Sequence, residues 1–386
     1  MPTTTTPTDQ LRYEPAELLA THPDLEPLLA DGARCHGGLA ADGSYVSPRT
    51  LHRVPAIAAW QAHHTATFGT ELVDIGIDEF PSPYPNVEQS RLLIEAGAPE
   101  PVIATLSRIG TVEGFGAFLR YTVVEDLQRH FDEDIGETAL GHLDRGLIEA
   151  HACDEAGEPG ATAIGHDEMW FAARDIAFEH PVTRDETALM LERMGITPPG
   201  GSAPDPAAMR AAALAHRRLP DDVDLDVETL IERMVRLVLI EISAFHGFAW
   251  AEAVLSDRDL VAGDGEAARV VACIRADETP HVDYLRTALT ELRDRTLVGD
   301  GGRRHRGEDV LAAIWDPAVA DQRGPRRTNL LDATWREVRR ALAGRRDTDE
   351  LLERFDAVGT SHRRPDGTWH DPTVAEIRAQ AQGTAA

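Results

Sequence analysis

The sequence predicts an all-α protein with a helix-bundle core, and three observations lead to this prediction. Alanine, leucine, glutamate and arginine abound, which favours helices. Apolar residues recur at helical spacing over long stretches, most clearly from 224 to 257 and from 266 to 293. Glutamates also stand inside several of these apolar faces, where a carboxylate is costly unless something pairs with it.

Length and charge narrow the class of protein. The chain has 386 residues, 42% of them hydrophobic, and a formal net charge of −28. Such an acidic surface repels phosphate backbones and anionic lipid, so we expect no nucleic-acid or membrane partner. Purely apolar runs stay far below the roughly 20 residues that cross a bilayer. Three cysteines, an odd number without a Cys-x-x-Cys pair, and an N-terminus without a secretory pattern predict a cytoplasmic protein.

Composition shifts divide the chain into four parts. The first residues form a Thr/Pro-rich tail, and the C-terminal part contains Gly/Arg-rich loops and smaller predicted helices. After the tail comes a segment in which Gly and Pro interrupt short helices, with a short hairpin at Asp42-Gly43. We expect this segment to pack on the helical body as a cover. The predicted parts are a disordered tail (1–10), the cover (11–100), the bundle (101–300, with an insert at about 154–224) and a C-terminal helical extension (301–386).

The first predicted bundle helix runs from about 102 to 120 and places Glu113 beside its apolar side. Glycines at 110, 114 and 116 weaken this helix, but they also let a neighbour or a substrate approach Glu113 closely. A partly exposed glutamate at the edge of the helix explains this segment equally well.

Two further helices carry a central glutamate. The helix from about 136 to 152 has Glu149 near its end, and the helix from 224 to 257 has Glu241 in the middle of its apolar stripe. The neighbours of Glu241 three and four residues away are apolar, so a solvated position explains it poorly. The residue three after Glu149 is Ala152, and His151 points elsewhere on a regular helix.

The fourth helix contains Glu278 and His281, which are neighbours on one face because they are three residues apart. This face is apolar and points inward, so a divalent metal would compensate the buried carboxylate and imidazole. The pattern is short, and by itself it also describes a surface glutamate beside a core histidine.

The spacing of the glutamates strengthens the metal hypothesis. Glu113 and Glu149 are 36 residues apart, and Glu241 and Glu278 are 37 apart, so each pair fits one antiparallel helical hairpin. Two such hairpins form a four-helix bundle with four inward carboxylates, a set that binds two cations. Without cations, four buried like charges could not coexist.

With these residues, the chain from about 102 to 294 resembles the ferritin-like superfamily of di-iron carboxylate oxidases and oxygenases. That pattern is Glu, Glu-x-x-His, Glu, Glu-x-x-His on four helices. The resemblance implies metal ligands at Glu113, Glu149, Glu241, Glu278 and His281. It also implies that Asp277 accepts a hydrogen bond from a ligand histidine.

The histidine expected on the second helix is absent. Three residues could supply an imidazole instead: His166, which we favour slightly; His246, which a π-bulge could bring round; and, less favourably, His142. Trp170 and Phe245 are better explained as core residues than as part of a cofactor site, although they could also line a substrate pocket.

The resemblance implies an enzyme, an O₂-dependent oxidase or oxygenase with two iron ions, for which manganese is the alternative. We expect a small organic substrate of specialised biosynthesis, with hydroxylation, N-oxygenation, desaturation and halogenation all open. An external electron donor and a homodimer are compatible with this expectation. The alternatives are an iron- or peroxide-handling protein without an organic substrate and a metal-free helical binding protein.

Overall fold

Helices dominate the computed structural model, and the predicted all-α class is confirmed. The structure describes residues 10–121, 124–158, 160–178, 182–193, 205–373 and 376. Most of the predicted tail, 1–9, therefore lies outside the described residues. So do 159, 179–181 and 194–204 of the predicted insert.

The N-terminal part combines short helices with a small sheet. Strands β1 (Glu26–Ala30), β2 (Ala33–Leu39) and β3 (Tyr45–Val46) pair antiparallel in that order. The hairpin predicted at Asp42-Gly43 is confirmed, because β2 and β3 pair on either side of it. The helices of this part are α1 (Pro15–Leu18), α2 (Arg53–Phe68) and α3 (Val87–Glu95).

The next two helices are shorter than predicted. Helix α4 (Glu100–Gly114) passes into a 3-10 segment, Phe115–Tyr121, and α5 spans only Ile148–Ala156. Before α5 the chain forms a 3-10 turn and a π-helical segment, Leu143–Leu147, in which Gly146 has a φ of 121°. That left-handed conformation is open to glycine and interrupts the helix predicted from 136 to 152.

Two long helices form the centre of the fold. Helix α9 (Leu225–Leu255) and helix α10 (Glu266–Arg293) confirm the two clearest sequence predictions. The Asp224 side chain accepts a 2.8 Å hydrogen bond from the Asp226 amide and so caps α9. Between α5 and α9 lie α6 (His166–Phe178), α7 (Arg184–Arg193) and α8 (Pro206–Ala215).

The C-terminal part packs its helices on the central ones. Helix α11 (Gly307–Arg323) lies against α9 and α10, and α12 (Pro325–Leu342) lies against α4. The elements are β4 (Thr296–Val298), β5 (Arg304–Arg306), α11 (Gly307–Arg323), α12 (Pro325–Leu342), α13 (Thr348–Ala357), β6 (His362–Arg363) and β7 (Trp369–His370).

Two apolar cores meet along α9 and α10. Leu239 and Leu285 belong to one core, whereas Phe248 and Ile274 belong to the other. The boundary between the cores therefore crosses α9 near Glu241 and α10 near Glu278. Buried polar side chains lie at this boundary between the two cores.

Among the described residues, the segment 100–121 and helix α9 are long and apolar enough to cross a membrane. Roughly half of the apolar stretch of each segment is buried against the rest of the protein, and each segment carries one of the glutamates discussed below. Buried core helices pass the same test, so their length and composition are weak evidence for a membrane span.

Candidate metal centre

Carboxylates and imidazoles from five helices converge between the two apolar cores. They form two groups, and within each group one potential ligand atom from every residue lies within 4.8 Å of the others. The first group is His151, Glu155, Glu241 and His281, and the second is Glu113, Glu155, His166 and Glu278. Glu155 belongs to both groups.

Each helix contributes to the centre where its polar residue interrupts an apolar face. Helix α10 supplies Glu278 and His281, and α9 supplies Glu241. The remaining ligand candidates are Glu113 on α4, His151 and Glu155 on α5, and His166 at the start of α6. The predicted arrangement used four helices, whereas the structure adds α6 as a fifth.

Two glutamates connect the groups. Oε1 of Glu155 lies 3.2 Å from Nδ1 of His281, 3.4 Å from Nδ1 of His166 and 3.6 Å from Nε2 of His151. Glu278 presents one oxygen to each group, with Oε1 3.0 Å from Nδ1 of His166 and Oε2 2.8 Å from Nδ1 of His281. Both carboxylates therefore occupy positions from which they can bridge two cations.

Four of the atoms that face each other here have no hydrogen-bond partner among the described residues. They are Nε2 of His151, Oε1 of Glu155, Nδ1 of His166 and Oε1 of Glu278. Buried polar atoms nearly always have a partner, so four unsatisfied atoms in one place need an explanation. Divalent cations would coordinate all of them, and a set of carboxylates and imidazoles suits iron, manganese or zinc. The residues present thus fit a dinuclear metal centre.

The electrostatics of the metal-free arrangement support the same conclusion. Burial and the charge of Glu241 raise the pKa of Glu113 from 4.5 to about 7. Burial and the charges of Glu278 and Glu113 raise the pKa of Glu155 well above 4.5. Glu278 has a raised pKa for the same reasons, burial and the charge of Glu241. The carboxylates repel one another in a dry site, and bound cations would remove that repulsion.

Each of the three imidazoles contacts an oxygen through its other ring nitrogen. Nδ1 of His151 lies 3.1 Å from Oη of Tyr284, and Nε2 of His281 lies 3.0 Å from Oδ2 of Asp154. Nε2 of His166 lies 3.3 Å from Oδ2 of Asp277. Such contacts fix the orientation and tautomer of a metal-ligating histidine.

Asp154 is itself fixed by two buried arginines. Nη1 of Arg49 lies 2.5 Å from Oδ1 of Asp154, and Nη2 of Arg53 lies 2.7 Å from its Oδ2. Burial and the charge of His151 lower the pKa of His281 to about 3. His281 is therefore neutral at physiological pH, which is the form that binds a metal.

The structure brings most of the predicted ligand candidates together and leaves three outside. Glu149 points away from both groups and pairs with Arg120, whose Nε lies 3.0 Å from its Oε2. Nε2 of His246 lies 3.0 Å from the carbonyl oxygen of Ile77, and no π-bulge brings its ring round. His142, the least favoured candidate, bonds to the backbone of Tyr13 and Thr138. The predicted residues that do lie in the groups are Glu113, Glu241, Glu278, His281 and His166.

Sequence reasoning missed His151 and Glu155. It ended the helix at Ala152 and assigned Glu155 to the insert that begins at about 154, but α5 continues to Ala156. His151 and Glu155 are four residues apart and share one face of that helix. This His-x-x-x-Glu spacing was the available signal in the sequence.

The glycines near Glu113 were predicted to let other groups approach closely. In the structure Gly110 does this for a neighbouring helix and Gly116 does it for the ligand candidate Glu155. A Cβ on Gly110 would lie 2.9 Å from atoms of Trp170 and Phe171, so this glycine lets α4 and α6 approach. A Cβ on Gly116 would lie 2.3 Å from Cγ of Glu155. The absence of a side chain at Gly116 leaves the space that Glu155 occupies.

A cavity of about 750 Å³ adjoins the centre, and Glu113 is one of its lining residues. Its walls come mainly from α4, α9 and α12. Trp170 lines the cavity and stacks on Phe248 with ring centroids 5.6 Å apart. Phe245 is not among the lining residues and instead packs edge-on against Phe248.

Comparison with known proteins assigns no relative to the chain: no family model, curated protein or solved structure matches it. What the chain does must therefore be inferred from the groups of residues described above.

Proposed function

We propose that the chain is a non-heme dinuclear-metal oxidoreductase of the ferritin-like type, which uses two iron ions and O₂ to oxidise a small organic substrate. The observation that carries this proposal is the pair of histidine–carboxylate groups that share Glu155. Seven residues supply three imidazoles and four carboxylates. The four negative charges of the carboxylates would balance two divalent cations.

The protein residues have separate tasks in this proposal. Glu155 and Glu278 would hold the two cations, while Asp154, Asp277 and Tyr284 orient the imidazoles. The apolar cores on both sides keep bulk water out of the centre. Bound iron would supply the electrons for O₂ reduction, chemistry that no side chain provides. The carboxylates fit manganese equally well.

The cavity favours an organic substrate over the handling of iron or peroxide alone. Its volume of about 750 Å³ lies within the range of pockets that bind drug-sized molecules. It reaches Glu113, so a molecule bound in it would contact the second group of ligands. A cytoplasmic location, an external electron donor and a homodimer remain part of the proposal.

Anaerobic iron titration with metal analysis tests the metal centre. Wild-type protein should bind two iron equivalents, whereas Glu155→Ala and Glu278→Ala should lose most of this binding. The matched control is Glu149→Ala. It removes a glutamate that lies on α5, like Glu155, but outside both groups, so this variant should bind iron like wild type. Equal binding by all four proteins would overturn the proposal.

Oxygen consumption separates the remaining alternatives. A protein that handles only iron or peroxide should consume O₂ at a rate that organic molecules do not change. The proposed oxidoreductase should consume O₂ faster when a molecule that fits the cavity is present. A metal-free binding protein should contain no stoichiometric iron and should keep its melting temperature after chelation.

A further inference from the structure

An arginine on the wall of the cavity has no carboxylate partner among the described residues. Arg108 is on α4, on the same helical face as Thr105, Val112 and Glu113, and all four line the cavity. Its Nη1 donates a 3.3 Å hydrogen bond to Oγ1 of Thr334. Among the described residues no acidic oxygen lies within 4 Å of the Arg108 guanidinium, which carries five N–H donors in all.

The other two arginines of the cavity differ from Arg108, because each has an acidic partner. Nε of Arg327 lies 2.6 Å from Oδ2 of Asp371, and Nε of Arg326 lies 3.0 Å from Oδ2 of Asp321. Among the described residues that line the cavity, the only acidic one is Glu113, at the candidate metal centre. The end of the cavity around Arg108 therefore carries an uncompensated positive charge.

An unpaired arginine in this position is costly for the fold. Burial and the charge of Arg327 lower the pKa of Arg108 to about 10, which shows that its surroundings disfavour the cation. The chain has 66 acidic and 38 basic residues, so acidic partners are abundant elsewhere. A bound anion would compensate the charge, and a carboxylate matches the guanidinium with two parallel hydrogen bonds.

We propose that the substrate of this cavity is an organic carboxylate with an apolar body, and that Arg108 binds its carboxylate group. The inference rests on the proposed function for the identity of this molecule as a substrate. The apolar body would pack against the aromatic residues of the lining, which are Phe80, Tyr84, Phe115, Trp170, Phe248 and Trp250.

The geometry also sets which part of the substrate reaches the metal centre. Arg108 and Glu113 are five residues apart on α4, a helical rise of about 7.5 Å. The reacting atom therefore lies at the end of the molecule remote from the carboxylate, several bonds away from it.

Binding to paired probes tests the assignment. The probes are benzoate, 2-naphthoate, octanoate and decanoate, each beside its uncharged primary amide, and calorimetry measures their affinities. Wild-type protein should bind at least one acid more tightly than its amide. Arg108→Gln should weaken binding of that acid about 10- to 100-fold and leave the amide unchanged. Arg108→Lys should recover part of the loss, because it restores the charge but not the planar fork.

Two controls make the result specific to Arg108. Arg326→Gln changes another arginine of the same cavity that already has an acidic partner, and it should alter acid binding far less. Iron titration of Arg108→Gln should match wild type, because the residue is not in either ligand group. If iron binding failed in wild type but the acid preference depended on Arg108, the proposed function would fall and the carboxylate site would stand.

The carboxylate proposal itself has two outcomes that overturn it. One is the absence of any preference for acid over amide across the four probe pairs in wild-type protein. The other is a preference that Arg108→Gln retains in full, as direct binding of the acids to the metal centre would produce.

Discussion

Oη of Tyr45, on β3, donates a 2.8 Å hydrogen bond to Oδ2 of Asp277, on α10. The same carboxylate oxygen lies 3.3 Å from Nε2 of His166, a member of the second ligand group. The small N-terminal sheet is thus connected to the candidate metal centre through the Tyr45 hydroxyl and the Asp277 carboxylate. This contact gives the sheet a role in positioning His166.

Tyr45→Phe should weaken metal binding without removing any ligand. The substitution removes the hydrogen bond to Asp277, so the carboxylate and the His166 ring lose part of their orientation. We expect a loss of about 0.5–1.5 kcal/mol in the free energy of unfolding. Iron affinity should fall a few-fold, less than the 10- to 100-fold that follows loss of a direct partner of a ligand histidine.

The matched control for Tyr45→Phe is Tyr121→Phe, because Tyr121 is 50% exposed and lies outside both ligand groups. Chemical denaturation and iron titration of the two variants should separate them. Equal iron affinities for both variants would contradict a positioning role for Tyr45.

Gly116→Ala should disrupt the centre by displacing Glu155. The new Cβ would lie 2.3 Å from Cγ and 2.8 Å from Cβ of Glu155, distances that force one of the two side chains to move. We expect a cost of about 1–3 kcal/mol in the free energy of unfolding and a marked loss of bound iron. Thermal denaturation and metal analysis measure the two effects.

Gly76→Ala serves as the control for this substitution. Gly76 has a φ of −61°, and a Cβ there would meet no atom within 4 Å. The variant should keep wild-type iron content and gain about 0.4–1 kcal/mol of stability from the restricted unfolded chain. If Gly116→Ala also kept its iron, the position assigned to Glu155 would be wrong.

The ligand set in the structure includes His151, whereas the ligand set predicted from the sequence included His246 as a candidate. His151→Ala should reduce iron binding, because Nε2 of His151 lies 3.3 Å from Oε1 of Glu241 within the first group. His246→Ala should leave iron binding unchanged, because His246 belongs to neither ligand group and its Nε2 lies 3.0 Å from the carbonyl oxygen of Ile77. The reverse pattern in an anaerobic iron titration would favour the sequence-based assignment.

Metal binding should stabilise the fold more at neutral pH than at acidic pH. Burial and the charge of Glu241 raise the pKa of Glu113 from 4.5 to about 7 in the folded, metal-free protein. A group with a raised folded-state pKa stabilises the fold below pH 4.5 and loses that contribution as the pH rises through about 7. Chelated protein should therefore lose stability over this interval.

Bound metal replaces the protons on these carboxylates, so the loaded protein should not show that loss. The difference in Tm between loaded and chelated protein should grow from about pH 4.5 to about pH 7 and then level off. Scanning calorimetry in matched buffers measures it. A difference that shrank with rising pH would contradict metal binding by raised-pKa carboxylates.

The helical phase of the long segments could be predicted from the sequence because their apolar repeats are uninterrupted. Glu241 and Glu278 stand inside such repeats on α9 and α10, and both face the centre as the repeat requires. The same reasoning placed Glu149 inward by extending one repeat from Leu140 through Ile148. Gly146, with a φ of 121°, interrupts the helix between Leu140 and Ile148. The apolar repeat before Gly146 therefore does not predict which side of α5 faces inward.

The sequence by itself determined the all-α class, the two long central helices and the concentration of carboxylates on apolar faces, because these follow from local periodicity. Only the tertiary structure decided that Glu155 stands where Glu149 was expected and that α6 brings His166 to the centre. It also decided that Arg108 lines the cavity with no acidic partner in the part of the chain that the structure describes. These features depend on contacts between segments distant in sequence, and no local repeat encodes which side chains meet there.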